Sequence, residues 1–95
     1  MTWRKNLAWI VEFSKTAVKQ LKKIDKHEQK KIIGFLKEKI EQQSNPKLHG
    51  KSLKGDKSDL WRYRVGDYRI ICKLENKELI VLVLTIGHRK NIYKL

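Results

Sequence analysis

Two stretches of the chain carry residue types that could do chemistry together. From Asp59 to Arg69 the sequence reads DLWRYRVGDYR, three arginines woven between Trp61, Tyr63 and Tyr68 around a Gly66-Asp67 pair. Near the other end stands Gly87-His88-Arg89-Lys90-Asn91-Ile92-Tyr93. Guanidinium groups make planar, bidentate contacts with phosphate, and imidazole carries protons near neutral pH. Arg89 and Tyr93 are four residues apart, so a helical turn would place them on one side. The combination points to a site that grips an anion and has proton carriers beside it.

The register of the first stretch sharpens this. A two-residue loop fixes the pairing of the strands it joins. With Gly66-Asp67 as that loop, Val65 faces Tyr68, Arg64 faces Arg69, Tyr63 faces Ile70, Arg62 faces Ile71 and Trp61 faces Cys72. Side chains alternate across a sheet, so Trp61, Tyr63, Val65, Tyr68, Ile70, Cys72 and Leu74 share one face, which reads as core. Arg62, Arg64, Arg69 and Lys73 share the other. Directly opposed like charges destabilise a sheet by up to ~1 kcal/mol, so Arg64 against Arg69 is a poor choice for stability alone. Two readings stand: the guanidiniums clamp an anion, or they splay into water with Asp59 or Asp67 as a partner.

The elements that must position these residues follow from local patterns. Leu7–Phe13 is an apolar, β-prone run and predicts a first strand. Ser14 offers an N-cap, and Ala17, Leu21 and Ile24 then recur at helical spacing. A break at Asp25–Lys26 leads to a second helix in which Ile32, Ile33, Leu36 and Ile40 share a face, and Asn45-Pro46 ends it. Lys47–Asp59 reads as a polar loop. Three strands follow: Leu60–Val65, Tyr68–Leu74 and Leu79–Ile86, the last pair joined by a Glu75-Asn76-Lys77 turn. LIVLVLTI does not alternate, which predicts a central strand covered on both faces. The order β-α-α-β-β-β predicts an α+β fold: a small, antiparallel-dominated, four-stranded sheet with an N-terminal helical hairpin packed on one face. Residues 1–95 are expected to form a single domain.

Composition bounds the partners. The formal net charge is +13 over 95 residues, shared by both halves of the chain. Such a field draws the protein to polyanions: nucleic acid, ribosome, anionic lipid or a very acidic partner. No apolar run approaches the ~20 residues of a membrane span. The opening MTWRKNLAWIVEF is interrupted by Glu12 and lacks a cleavage site, which argues against a signal peptide. A single cysteine, Cys72, on the predicted core face suits a reducing cytoplasm. His27, His49 and His88 are far apart in sequence, so neither metal nor cofactor is expected.

The motifs W-R-Y-R-V-G-D-Y-R-I, then an apolar strand, then G-H-R-x-x-x-Y, resemble the RelE/ParE superfamily of toxins over nearly the whole chain, including Leu53-Lys54-Gly55 before the second strand. The resemblance implies a RelE-like fold, a toxin of a type II toxin–antitoxin system, and a small acidic RelB-like antitoxin as partner. It further implies a hetero-oligomeric complex that binds operator DNA through the antitoxin. The RelE branch cuts messenger RNA in the ribosomal A site; the ParE branch poisons DNA gyrase. By this resemblance Arg62 and Arg64 match two basic residues before the turn, Arg69 an arginine after it, Arg89 one beyond the last strand, and Tyr93 a terminal tyrosine.

Carried over to metal-free RNA cleavage, the resemblance assigns roles. Attack of a 2′-hydroxyl on the adjacent phosphate needs a base, positive charge on the non-bridging oxygens and an acid for the leaving 5′-oxygen. Tyr93 is the expected base, with its proton loosened by the guanidiniums. Arg64 and Arg69 hold the phosphate, Arg62 adds to the field, and Arg89 lies near the leaving group. Either His88 or Arg89 is the acid, and arginine's fixed protonation favours His88. Lys51, Lys54, Lys57 and Lys90 are expected to contact RNA or the ribosome. ParE-like chains tend to lack the full basic-plus-tyrosine set kept here. A gyrase inhibitor and a catalytically inactive binding module remain the rival expectations.

Overall fold

A computed structural model describes residues 9–41, 45–53, 60–75 and 77–88. Ile10–Phe13 forms β1, followed by α1 (Lys15–Lys22) and α2 (Lys26–Phe35). Ser14 caps α1, its hydroxyl accepting from the Ala17 N–H at 3.0 Å. Asp25 caps α2 by accepting from the His27 N–H at 3.1 Å, so the break between the helices is set by that side chain. The second helix runs on as a π-helical turn, Leu36–Glu41, that keeps Ile40 buried beneath Leu36 and Ile32. Ile33, expected on the same face, is only half-buried.

After Asn45 comes a 3₁₀ turn, Pro46–His49, then β2 (Gly50–Ser52), β3 (Leu60–Val65), β4 (Tyr68–Glu75) and β5 (Ile80–His88). The sheet has five strands in the order β1-β5-β4-β3-β2, not four. β2 lies inside the segment expected to be loop. It is made of Gly, Lys and Ser and owes its conformation to antiparallel pairing with β3, Lys51 opposite Arg62. β1 pairs parallel with β5; the other pairings are antiparallel. This is the α+β, antiparallel-dominated architecture expected, extended by one edge strand.

The helices cover one sheet face. Ala17, Ile32, Leu36 and Ile40 close over Tyr63, Ile70, Cys72, Leu74, Val81, Val83 and Ile86. Burying each large apolar side chain stabilises by roughly 1.5–3 kcal/mol. Tyr63, Ile70, Cys72 and Leu74 are buried as the hairpin register requires, and Trp61, Val65 and Tyr68 pack against them. β5 is internal, but Ile80, Leu82 and Leu84 are only half-buried, so it is not covered on both faces.

Its irregular pattern has another cause. Cys72 pairs with Val83 while Ile71 pairs with Thr85, leaving Leu84 as an extra residue in a β-bulge. Ser14 fastens the bulge: its hydroxyl donates to the Leu84 carbonyl at 2.8 Å and its N–H to the Val83 carbonyl at 2.9 Å. Gln20 holds the next residues, its amide oxygen accepting from the Thr85 hydroxyl at 2.9 Å and the Ile86 N–H at 2.6 Å. Beyond the bulge Gly87 stands opposite Arg69 and His88 opposite Tyr68.

Candidate phosphate-binding active site

The β3–β4 turn brings the arginines together. Gly66 takes φ +59, the left-handed conformation that glycine adopts without a steric cost. The strands leave it in the register expected: Val65 opposite Tyr68, Arg64 opposite Arg69, Tyr63 opposite Ile70 and Arg62 opposite Ile71. The arginines therefore share the face turned away from the helical hairpin. There they line a cavity of about 370 Å³, whose described walls are Leu48, His49, Gly50, Lys51, Arg62, Arg64 and Arg69. No carboxylate is among those described lining residues.

Burial differs among the three. Arg64 is exposed, whereas Arg62 and Arg69 are half-buried. Nη1 of Arg69 is buried with no hydrogen-bond partner. A buried, unpaired donor on a cationic group is costly, roughly 1–3 kcal/mol or more. An anion held in the cavity would relieve the repulsion between Arg64 and Arg69.

The second wall, from the 3₁₀ turn and β2, was not anticipated. Asn45 accepts from the Lys47 N–H at 3.0 Å and so starts the turn. The buried Tyr63 hydroxyl donates to the Pro46 carbonyl at 2.6 Å, fastening the turn to β3. Gly50 runs so close to β3 that an added Cβ would lie 2.5 Å from the Arg62 carbonyl oxygen and 2.6 Å from the Trp61 ring. Lys51 lines the cavity, and Lys47 places its ammonium 5.8 Å from the Trp61 ring centroid. His49 enters with them. Its only signal in the sequence was its place beside Gly50, which carried no motif or periodicity.

Among the described residues, Tyr63, Cys72 and His88 do not line the cavity. Burial, with Cys72 beside it, holds the Tyr63 phenol far above its ordinary range, so Tyr63 is a structural donor and not a base. Burial likewise raises the Cys72 thiol. His88 pairs with Tyr68, and their rings meet edge to face with centroids 5.7 Å apart. Tyr68 packs against the core, so His88 lies with the inward-facing row and apart from the arginine row. Arg89, Tyr93, Lys54, Lys57 and Lys90 lie outside the described residues. Among the described residues no group of three or more His, Cys, Asp or Glu could hold a metal ion, and no helix is long and apolar enough to cross a membrane.

The fold and the site define a small basic α+β domain with an arginine-walled cavity on its open sheet face. The chain belongs to the RelE/ParE superfamily, since the sequence pattern of the ParE toxin of type II toxin–antitoxin systems, parDE, matches residues 11–93. Solved structures agree on the fold. A chain of the archaeal RelE–RelB complex from Pyrococcus horikoshii is 27% identical, with 86% of this chain and 96% of that chain covered at a TM-score of 0.70. The RelB–RelE antitoxin–toxin complex from Methanococcus jannaschii gives 28% identity, 87% and 95% coverage, and 0.65. The toxin–antitoxin complex RelBE2 from Mycobacterium tuberculosis gives 23% identity, 86% and 92% coverage, and 0.78. No curated protein matches the chain.

Proposed function

We propose that this type II toxin is an endoribonuclease that cuts messenger RNA in the ribosomal A site without a metal, and so inhibits translation. The observation that carries the reading is the cavity in which Arg64 and Arg69 oppose each other beside Arg62 and Lys51. Such a cluster suits a phosphate whose negative charge grows in the transition state, because preorganised donors act more strongly there than in the ground state. Arg64 and Arg69 grip the non-bridging oxygens, and Arg62 contributes to the same field. Tyr93 as base and Arg89 beside the leaving group complete the reading through the family resemblance. Lys54, Lys57 and Lys90, with Lys51, extend the contact to RNA and ribosome. The toxin acts in the cytoplasm. Its antitoxin is an acidic, RelB-like chain that neutralises it by charge complementarity to the arginine face, and the resulting hetero-oligomer binds operator DNA through the antitoxin.

The second reading is gyrase inhibition, favoured by the match to the ParE sequence pattern. Primer extension on cellular mRNA after induction separates the two. Cuts inside translated regions, lost in Arg69→Ala, support the ribonuclease. Intact mRNA with inhibited DNA supercoiling assigns the protein to the gyrase branch.

A further inference from the structure

Among the described residues that line the cavity, His49 is the one whose residue type commonly serves as a proton donor in catalysis, whereas arginine is effectively always protonated. Its backbone is held from both sides, by the Tyr63–Pro46 hydrogen bond before it and by the close approach of Gly50 to β3 after it. Its ring meets Phe35 of α2 edge to face, centroids 6.3 Å apart at 82°, while the residue stays exposed. The charged neighbours are cationic on most sides: Lys47 in its own turn, Lys51 on β2, Arg62 and Arg64 on β3, and Arg69 on β4. The π-helical turn packed against the 3₁₀ turn carries Lys37, Glu38, Lys39 and Glu41; Lys37 and Glu41 line a separate cavity.

We propose that His49 is the catalytic acid of this toxin, delivering a proton to the 5′-oxygen that leaves when the RNA strand is cut. The inference rests on the ribonuclease reading above. In the step, the 2′-oxygen bonds to phosphorus as its proton passes to the base. The P–O5′ bond breaks, its electron pair moves to O5′, and O5′ takes the proton from the His49 imidazolium. The products are a 2′,3′-cyclic phosphate and a 5′-hydroxyl end; nothing is oxidised or reduced, and the imidazole regains its proton from water.

Single-turnover cleavage of ribosome-bound mRNA, measured against pH, tests the assignment. The wild-type toxin and His49→Gln are compared on an ordinary message and on one with sulfur replacing the 5′-bridging oxygen at the scissile linkage. A sulfur leaving group departs without a proton. On the ordinary message His49→Gln is expected to be about 10²–10⁴-fold slower and to lose the limb in which rate falls as pH rises. On the sulfur message it is expected to match the wild type, which also shows that the variant is folded. Equal slowing on both messages, or an unchanged rate and pH profile, overturns the acid role. A wild-type protein that cuts neither message overturns the ribonuclease reading itself, and that failure is visible without any variant.

Discussion

At the scale of single residues, stability and function ask opposite things of Arg64 and Arg69. They face each other across a two-residue turn, and Arg69 keeps a buried donor without a partner. Replacing Arg64 by threonine removes the opposed charge and leaves a residue that suits a strand. Arg64→Thr is therefore expected to raise stability by some tenths of a kcal/mol, up to ~1 kcal/mol, read as a higher urea midpoint with unchanged slope. Cleavage of ribosome-bound mRNA is expected to fall about 10²-fold or more, the usual effect of losing one donor to a developing oxyanion. A variant that loses stability and keeps activity would make the pair structural. This opposition was legible in the sequence, because Gly66-Asp67 fixes register and register fixes faces. The place of His49 was not legible, since only the folded 3₁₀ turn brings that residue to the cavity's edge.

At the scale of elements, β2 and the bulge in β5 leave no pattern of their own in the sequence. Gly50-Lys51-Ser52 holds no apolar side chain, so nothing in its periodicity separates a strand from a loop; β3 imposes the conformation. Leu84 sits within an apolar run, where an inserted residue leaves no mark on composition. Yet the insertion puts Gly87, not Ile86, across from Arg69 and sends His88 to Tyr68. The helix break, by contrast, was readable from Ser14 and Asp25, whose short side chains cap the two helices.

Two glycines give a prediction of opposite sign for one substitution. A Cβ at Gly50 would meet the Arg62 carbonyl oxygen at 2.5 Å, and backbone cannot yield as a side chain tip can. Gly50→Ala should cost about 1–3 kcal/mol and lower cleavage by displacing His49 and Lys51. Gly34 lies inside α2, where an added Cβ meets nothing within 4 Å. Gly34→Ala should stabilise by roughly 0.5–1 kcal/mol through helix propensity and leave cleavage unchanged. Thermal melts of both variants beside the wild type decide the signs.

At the scale of the whole molecule, the question is whether the charge of +13 acts as a diffuse field or through the cavity. Either would attract a polyanion, but they differ in how affinity responds to salt. Each phosphate neutralised on a single strand adds about −0.7 to the slope of log K against log salt. The described cavity offers four fixed cations, Lys51, Arg62, Arg64 and Arg69. If they define the contact, binding of a short single-stranded RNA should show a slope of about −3. Arg64→Ala should make that slope shallower by roughly 0.7. Lys19 and Lys22, in the last turn of α1, belong to the helical layer, which covers the other sheet face. Replacing both by alanine should leave the slope unchanged if the cavity is the site. A diffuse field predicts a much steeper slope, reduced equally by either set of substitutions. Fluorescence anisotropy across a salt series measures both quantities, and equal losses from the two sets would remove the cavity as the place where RNA binds.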